Sequence, residues 1–253
     1  MKITFLSTGT SCGVPVIGCQ CKVCQSTDQK DKRLRCSILV ETEKTRILVD
    51  AGPDFRQQIL PQPFRRIDAI LVTHSHYNHI GGMDDIRPYC QFGETNVYAD
   101  AIARKGMLEM LPYCFAENRY PGVPQIGLHE ISAGNQFTIG DIEVMPVRVM
   151  HGKLPILGFR FGRFAYITDM KTIEDEQMPL LEGVEVLCVN ALRFEKPHHS
   201  HQLVDDAIAF ARRVGAKHTL ITHVCHDVGL HEEANKRLPE GMELAFDGQV
   251  LEL

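Results

Sequence analysis

One stretch constrains this chain more than any other: Ala69-Ile-Leu-Val-Thr-His74-Ser-His76-Tyr-Asn78-His79-Ile-Gly-Gly. Its opening residues are an apolar run of strand length. The strand runs straight into three histidines. Alternation sends His74 and His76 the same way as the strand runs out. His79 opens the next segment and can turn back toward them. A single histidine is ordinarily a satisfied core or surface residue. Three within six residues, at a strand's C-terminal end and ahead of Gly81-Gly82, form a set of imidazoles suited to a transition metal such as zinc.

Strand-length apolar runs recur along the rest of the chain. They are Ile3–Leu6, Ser37–Val40, Arg46–Val49, Glu143–Val147, Gly158–Phe161, Phe164–Ile167, Val184–Val189, His218–Ile221, Met242–Ala245 and Val250–Leu253. Helical patterns fall at Asp54–Leu60, Asp100–Leu111, Glu174–Leu181, Val204–Val214 and His231–Leu238, with Gly215 placed to stop the fourth. Early strands follow one another like hairpins, whereas later ones alternate with helices. That mixture predicts two sheets packed together with helices outside, an α/β (α+β) architecture, rather than one doubly wound parallel sheet. No repeat, low-complexity tract or long linker divides the chain, so residues 1–253 are read as a single domain.

Composition narrows the partners. Hydrophobic residues are 44% and charged residues 23% of the 253, the balance of a soluble protein that can build a core without disulfides. A formal charge of −5 argues against a surface that coats nucleic acid, so no stable nucleic-acid partner is expected. A small anionic substrate stays open, because a local metal site outweighs net charge. No run approaches the ~20 apolar residues of a membrane span, and the N-terminal apolar run is too short for a signal peptide. A cytoplasmic location with no membrane partner follows as the expectation. There, nine cysteines are thiols and metal ligands before they are disulfides.

The pattern His74-x-His76-x-Asn78-His79 resembles the HxHxDH signature of the metallo-β-lactamase-fold hydrolases. The resemblance implies a four-layer αββα sandwich and two divalent metal ions in the active site. In this family the first two histidines hold one metal, and the Asp and last His hold the other. Three later ligands are also required, and this sequence offers each at a strand end: His151 after Glu143–Val147, Asp169 after Phe164–Ile167 and His223 after His218–Ile221. Asp50, in Val-Asp-Ala-Gly, matches the family's strand-end aspartate that supports the ligands from behind. Asn78 departs from the pattern. An amide can donate a neutral oxygen to a metal, but it supplies no charge and accepts no proton.

A second cluster, Cys19-x-Cys21-x₂-Cys24, suggests a structural zinc, which wants four ligands. Cys225 and His226 both lie just past His223 as candidates for the fourth. With Ser7-Thr-Gly-Thr-Ser-Cys ahead of it, the cluster resembles the PhnP branch of the superfamily, where a histidine three residues after the last metal-binding His completes the set. That position is His226. In the same branch a histidine matching His201 reaches the substrate phosphate and protonates the leaving alkoxide. His198 and His199 carry no such match and read as loop residues. Ser200 or Gln202 is placed to start the helix that follows.

The resemblance implies a metal-dependent phosphodiesterase acting on a small, even cyclic, phosphodiester. Its catalytic residues are Asn78 and His201, and its metal ions are zinc, manganese, nickel or iron. Two alternatives stand beside it. One is a tRNA 3′-processing endonuclease, which shares the histidine motif but usually carries a basic insertion absent here. The other is a non-catalytic metal-binding accessory protein of the pyrroloquinoline-quinone biosynthesis type, favoured by Asn78. Loop aromatics Tyr89, Phe92, Phe115 and Tyr120 are candidates for a pocket wall or a homodimer face.

Overall fold

The computed structural model describes residues 1–253. The first seven strands are β1 (Lys2–Ser7), β2 (Ser37–Glu41), β3 (Arg46–Val49), β4 (Ala69–Leu71), β5 (Thr95–Ala99), β6 (Ile126–Glu130) and β7 (Phe137–Ile139). The others are β8 (Ile142–His151), β9 (Leu154–Phe161), β10 (Phe164–Ile167), β11 (Val186–Asn190), β12 (His218–Thr222), β13 (Met242–Leu244) and β14 (Val250–Glu252). They form two seven-stranded sheets, in the orders β14-β1-β2-β3-β4-β5-β6 and β13-β12-β11-β10-β9-β8-β7.

Period-two alternation builds the layers. Ile38, Val40, Ile47, Val49, Ala69 and Leu71 meet Val144, Leu157, Phe159 and Tyr166 between the sheets. The residues between them in sequence, Leu39, Leu48 and Ile70, face the other way. They pack with Met83, Ile86, Ala103 and Met107 from the helices over the first sheet. Across the second sheet, Val147, Ala165, Leu187 and Val189 pack against Val204, Ala207, Phe210 and Ala211 of the helix Val204–Val214. Helix, sheet, sheet, helix is the expected four-layer αββα sandwich. No helix is long and apolar enough to cross a membrane.

Each sheet has the same internal plan, although the sequence shows no repeat. β1, β2 and β3 are antiparallel neighbours, and β3 to β6 then run parallel. β7 to β10 are antiparallel, and β10 to β13 parallel. The residues just past β3, β4, β10 and β12 are Asp50-Ala, Thr73-His74, Thr168-Asp169 and His223, and their side chains meet between the sheets' edges.

Several elements differ from the sequence reading. β5, β6 and β7 are strands where none was expected. Asp175–Leu181 is a 3₁₀ helix rather than an α-helix, with Pro179 inside it. The helix at His231 ends at Asn235, short of Leu238. Tyr89 is buried against Phe55 and Phe64, not exposed in a loop. Neither Ser200 nor Gln202 starts the helix Val204–Val214. Asp206 does so from inside, its carboxylate accepting the backbone N–H of Leu203 at 3.0 Å. Gly215 does stop that helix, in the left-handed conformation at φ +78°.

Candidate active site

The histidine segment is fixed from behind by Asp50. One carboxylate oxygen accepts the Thr73 backbone N–H at 2.8 Å, and the other accepts the Thr73 hydroxyl at 2.8 Å and lies 2.6 Å from His79 Nδ1. His79 sits in a one-turn helix, Tyr77–Ile80, with Asn78 buried beside it. The glycines of Asp50-Ala-Gly52 and Ile80-Gly-Gly82 have a mechanical reason. A Cβ on Gly52 would fall 2.1 Å from the Asn78 carbonyl, and one on Gly82 would fall 1.9 Å from the Gly52 carbonyl. The two loops can therefore lie backbone on backbone, which turns His79 back toward His74.

Two ligand sets result. In the first, ring nitrogens of His74, His76 and His151 lie within 4.8 Å of one another. His74 Nε2 is 3.0 Å from His76 Nδ1. His151 Nδ1 faces the carbonyls of Asp169 at 2.8 Å and Ser200 at 3.0 Å, so it donates there and leaves Nε2 with a free lone pair. In the second set, Asp169 stands between two rings: Oδ2 is 3.3 Å from His79 Nε2, and Oδ1 is 3.1 Å from His223 Nε2. Three members of this machinery turn through the left-handed region as their strands end, Asp50 at φ 62°, Asp169 at 57° and His223 at 55°. Such geometry in residues bearing a Cβ persists only where the surroundings enforce it.

The electrostatics suit a cation. Burial holds the imidazolium form of His74 well below its ordinary range, with the charge on His79 adding to the effect, and burial lowers His76 too. Both rings are thus neutral, the form in which an imidazole can bind a metal. Burial works against charge on His79 as well, but Asp169 and Asp50 outweigh it and raise that ring to about 10. Asp169 resists its own burial because His223 and His79 hold it well below the usual carboxylate range. The site therefore demands positive charge between His79 and Asp169. His79 Nε2 and His223 Nε2 come within ion-pair distance of Asp169, yet they and His223 Nδ1 are buried without a hydrogen-bond partner. A divalent ion at this point would take the place of the ring protons and accept the Nε2 lone pairs of both histidines. His74, His76 and His151 could hold one ion, and His79, Asp169 and His223 a second.

His201 joins this wall. It is buried, its Nδ1 lies 3.9 Å from Asp169 Oδ1, and its ring centre is 4.7 Å from that of His151 and 4.8 Å from that of His223. Burial, and then the neighbouring His223, push its pKa down to about 2. His198 lies in a loop, as expected, with its ring 4.9 Å from that of His201 and its Nδ1 accepting the Ser200 backbone N–H at 3.3 Å.

The cysteine cluster gathers as the spacing suggested. Sγ atoms of Cys19, Cys21 and Cys24 surround His226 Nδ1 at 3.2, 3.5 and 3.4 Å. Tetrahedral zinc with Zn–S of about 2.3 Å and Zn–N of about 2.05 Å sets sulfur and nitrogen about 3.5 Å apart. Cys225 lies outside the set. The Cys24 backbone N–H stabilises a thiolate at Cys21 and pulls that thiol down to about 6.

Sequence reasoning missed three contributors. Thr73 links Asp50 to His74 and His79, its hydroxyl 3.0 Å from His74 Nδ1 and 3.4 Å from His79 Nδ1. Asn190 clamps the turn after Asp169, its side chain accepting the Met170 N–H at 2.7 Å and donating to the Met170 carbonyl at 3.0 Å. Cys36 lies buried against the second set. A threonine before a histidine was a visible signal. The other two become visible only when β2 and β11 are in place.

A family profile described as the β-lactamase superfamily domain matches residues 45–224, from β3 to the loop that carries His223. The chain belongs to the β-lactamase superfamily. Within the superfamily it falls in the PhnP branch. The crystal structure of a new diphosphatase from the PhnP family superposes with a TM-score of 0.91 at 39% identity, covering 100% of this chain and 97% of that one. An octanoyltransferase of Porphyromonas gingivalis is 41% identical over 249 residues, 98% of this chain but 51% of that protein. This superfamily member spans about half the length of the curated relatives it matches. Zn²⁺-bound PqqB from Methylobacterium extorquens shares the fold, with a TM-score of 0.71 at 19% identity over the full length of both chains.

Proposed function

We propose that this chain is a metal-dependent phosphoric diester hydrolase acting on small phosphodiesters, cyclic ones and substituted diphosphates included. The observation that carries the reading is the convergence of two ligand sets on one carboxylate. Asp169 faces His79 and His223, while its backbone carbonyl orients His151 of the other set. Two divalent ions, zinc, manganese, nickel or iron, would supply Lewis-acid polarisation of the phosphoryl group and a nucleophile at neutral pH. The protein supplies the rest. Asp50, Thr73 and the Asp169 carbonyl fix the imidazoles of His79, His74 and His151 through their Nδ1 atoms. His201 supplies an N–H beside Asp169 for the phosphate or the departing oxygen. Burial and the neighbouring His223 keep its ring neutral, so acid catalysis by His201 requires the negative charge of a bound phosphoester to bring its proton affinity up.

The relative's diphosphatase description supports the same kind of reaction centre, because each phosphorus of a disubstituted diphosphate bears two substituted oxygens and one negative charge, as in a phosphodiester. The octanoyltransferase name attaches to a protein of which this chain matches half. Acyl transfer needs an activated, reachable nucleophile, and the thiol in this cluster, Cys36, is fully buried.

Bis-p-nitrophenyl phosphate, cyclic nucleotides and a tRNA precursor, each assayed with added Zn²⁺, Mn²⁺, Ni²⁺ or Fe²⁺, separate the readings. Diester turnover without tRNA cleavage is expected. Cleavage of the precursor at its 3′ end would favour the endonuclease, and metal binding with no turnover would favour the accessory protein. His201→Ala should lose about 10²–10⁴-fold on an alkyl ester and far less on a nitrophenyl ester, whose leaving group needs little protonation. An equal loss on both would mean that His201 positions phosphate instead.

A further inference from the structure

Cys36 immediately precedes β2 and is 0% exposed, yet it belongs to none of the apolar clusters of the core. A buried cysteine ordinarily behaves as a small hydrophobe. Cys188, in β11, does so among the apolar residues between the sheets. Cys36 has a different neighbourhood. Its Sγ, ring nitrogens of His79 and His223, and a carboxylate oxygen of Asp169 all lie within 4.8 Å of one another. The Thr168 hydroxyl stands 3.6 Å from it, and the Tyr166 hydroxyl also reaches its sulfur. The two histidines in this group are those whose Nε2 atoms are buried without a hydrogen-bond partner.

One sulfur, two imidazoles and one carboxylate are a complete four-ligand set for a tetrahedral zinc ion. Sulfur and nitrogen ligands of such an ion stand about 3.5 Å apart, and the 4.8 Å span of this set is wide enough to draw in around one. The charge count points the same way. Where the superfamily signature has a carboxylate, Asn78 brings no charge. Asp169 alone leaves a divalent ion half neutralised, and a thiolate supplies the missing unit.

We propose that Cys36 is a sulfur ligand of the second cation position, standing in for the carboxylate that Asn78 lacks and making that position selective for zinc over manganese. The proposal rests on the metallohydrolase reading above. Binding breaks the Cys36 S–H bond, forms the sulfur–metal bond and releases the proton to solvent. Thiolate favours zinc and cobalt strongly over manganese, whereas an all-oxygen and imidazole set favours them less.

The test uses the full chain with its Cys19–His226 site filled with zinc and then titrated with Co²⁺. A near-ultraviolet sulfur-to-cobalt charge-transfer band should grow in the unaltered protein. Cys36→Ser should bind cobalt at the His74, His76 and His151 set without the band. In that variant Zn²⁺ affinity at the second position should fall at least tenfold, while Mn²⁺ affinity moves by less than about threefold. Cadmium-113 resonance of the unaltered protein needs no variant, and should show a one-sulfur active-site signal apart from the three-sulfur signal. Cobalt bound without the band, or an active-site cadmium signal at the nitrogen–oxygen position, would make Cys36 a core thiol and leave the hydrolase reading intact. Failure to bind any cobalt beyond the zinc-filled site would overturn that reading, and this proposal with it.

Discussion

The cluster at Cys19, Cys21, Cys24 and His226 draws three of its four side chains from one short loop. The cluster at His74, His76, His79, His151, Asp169 and His223 draws its members from strand ends scattered between β4 and β12. Cys19, Cys21 and His226 are partly exposed, and the loop around them rests on a small apolar cluster of Val14, Val23 and Cys24. His79, Asp169 and His74 are buried and held by hydrogen bonds from neighbouring residues, with His223 buried beside them. That small cluster, short-range backbone hydrogen bonds and the metal its thiols would bind share the work of organising the loop. The strand-end site is organised by two sheets before any metal arrives. In the first case metal energy goes into folding, and in the second folding energy goes into metal binding.

The largest expected effect is on the loop side. Cys21→Ser should lose the structural zinc and about 3 kcal/mol of stability, lowering Tm by roughly 6–12 °C. Calorimetry and metal analysis check this, and unchanged zinc content with unchanged Tm would break the contrast. On the strand-end side the effect should fall on affinity rather than stability. Thr73→Val removes the hydroxyl that bridges Asp50 to two histidines, and should weaken active-site metal binding about 10–100-fold. A Tm loss as large as that of Cys21→Ser, with affinity unchanged, would erase the distinction.

Asn78→Asp sharpens the comparison within the strand-end site. The two side chains are nearly isosteric, so the fold should accept either. A carboxylate offsets repulsion between neighbouring cations and orients water where an amide does not. Second-cation affinity and diester turnover should each rise at least tenfold, about 1.4 kcal/mol, as read by equilibrium dialysis and initial rates. The smallest effect concerns the loop's anchor. Asp247 accepts the Leu34 N–H and the Thr8 hydroxyl, each at 2.7 Å. Burial raises its pKa to about 6 despite those hydrogen bonds and nearby Arg33. The folded state thus keeps a proton that the unfolded chain releases near pH 4, and stability from this group is lost as pH rises from about 4 through 6. The Tm of Asp247→Asn relative to the unaltered protein should climb across that window and level off above it.

The legible parts of the molecule were those written in local pattern. β3, β10 and the helix Val204–Val214 match the apolar runs end to end, because both faces of those strands are buried and that helix shows one apolar stripe. β6 was invisible because it is an edge strand, with His129 and Glu130 exposed. Met83–Phe92 was invisible because a 3₁₀ helix containing Pro88 has no 3.6-residue period to find. In the site, histidines at strand ends announced themselves by density. Cys36 did not, since one cysteine before a buried strand looks like any core residue until β10 and β12 are placed beside it.

The left-handed turns at Asp50, Asp169 and His223 change how substitutions at those positions must be interpreted. Holding a residue with a Cβ in that conformation costs roughly 1–2 kcal/mol, and asparagine tolerates it about as well as aspartate. Alanine at Asp50 or Asp169 removes the carboxylate and also the hydrogen bonds that hold the turn. The loop is then free to relax and carry Thr73 or the His151 carbonyl partner with it. Asparagine at the same place removes the charge and keeps the turn. The difference between the paired variants isolates what the backbone contributes to the site, separately from what the carboxylate does.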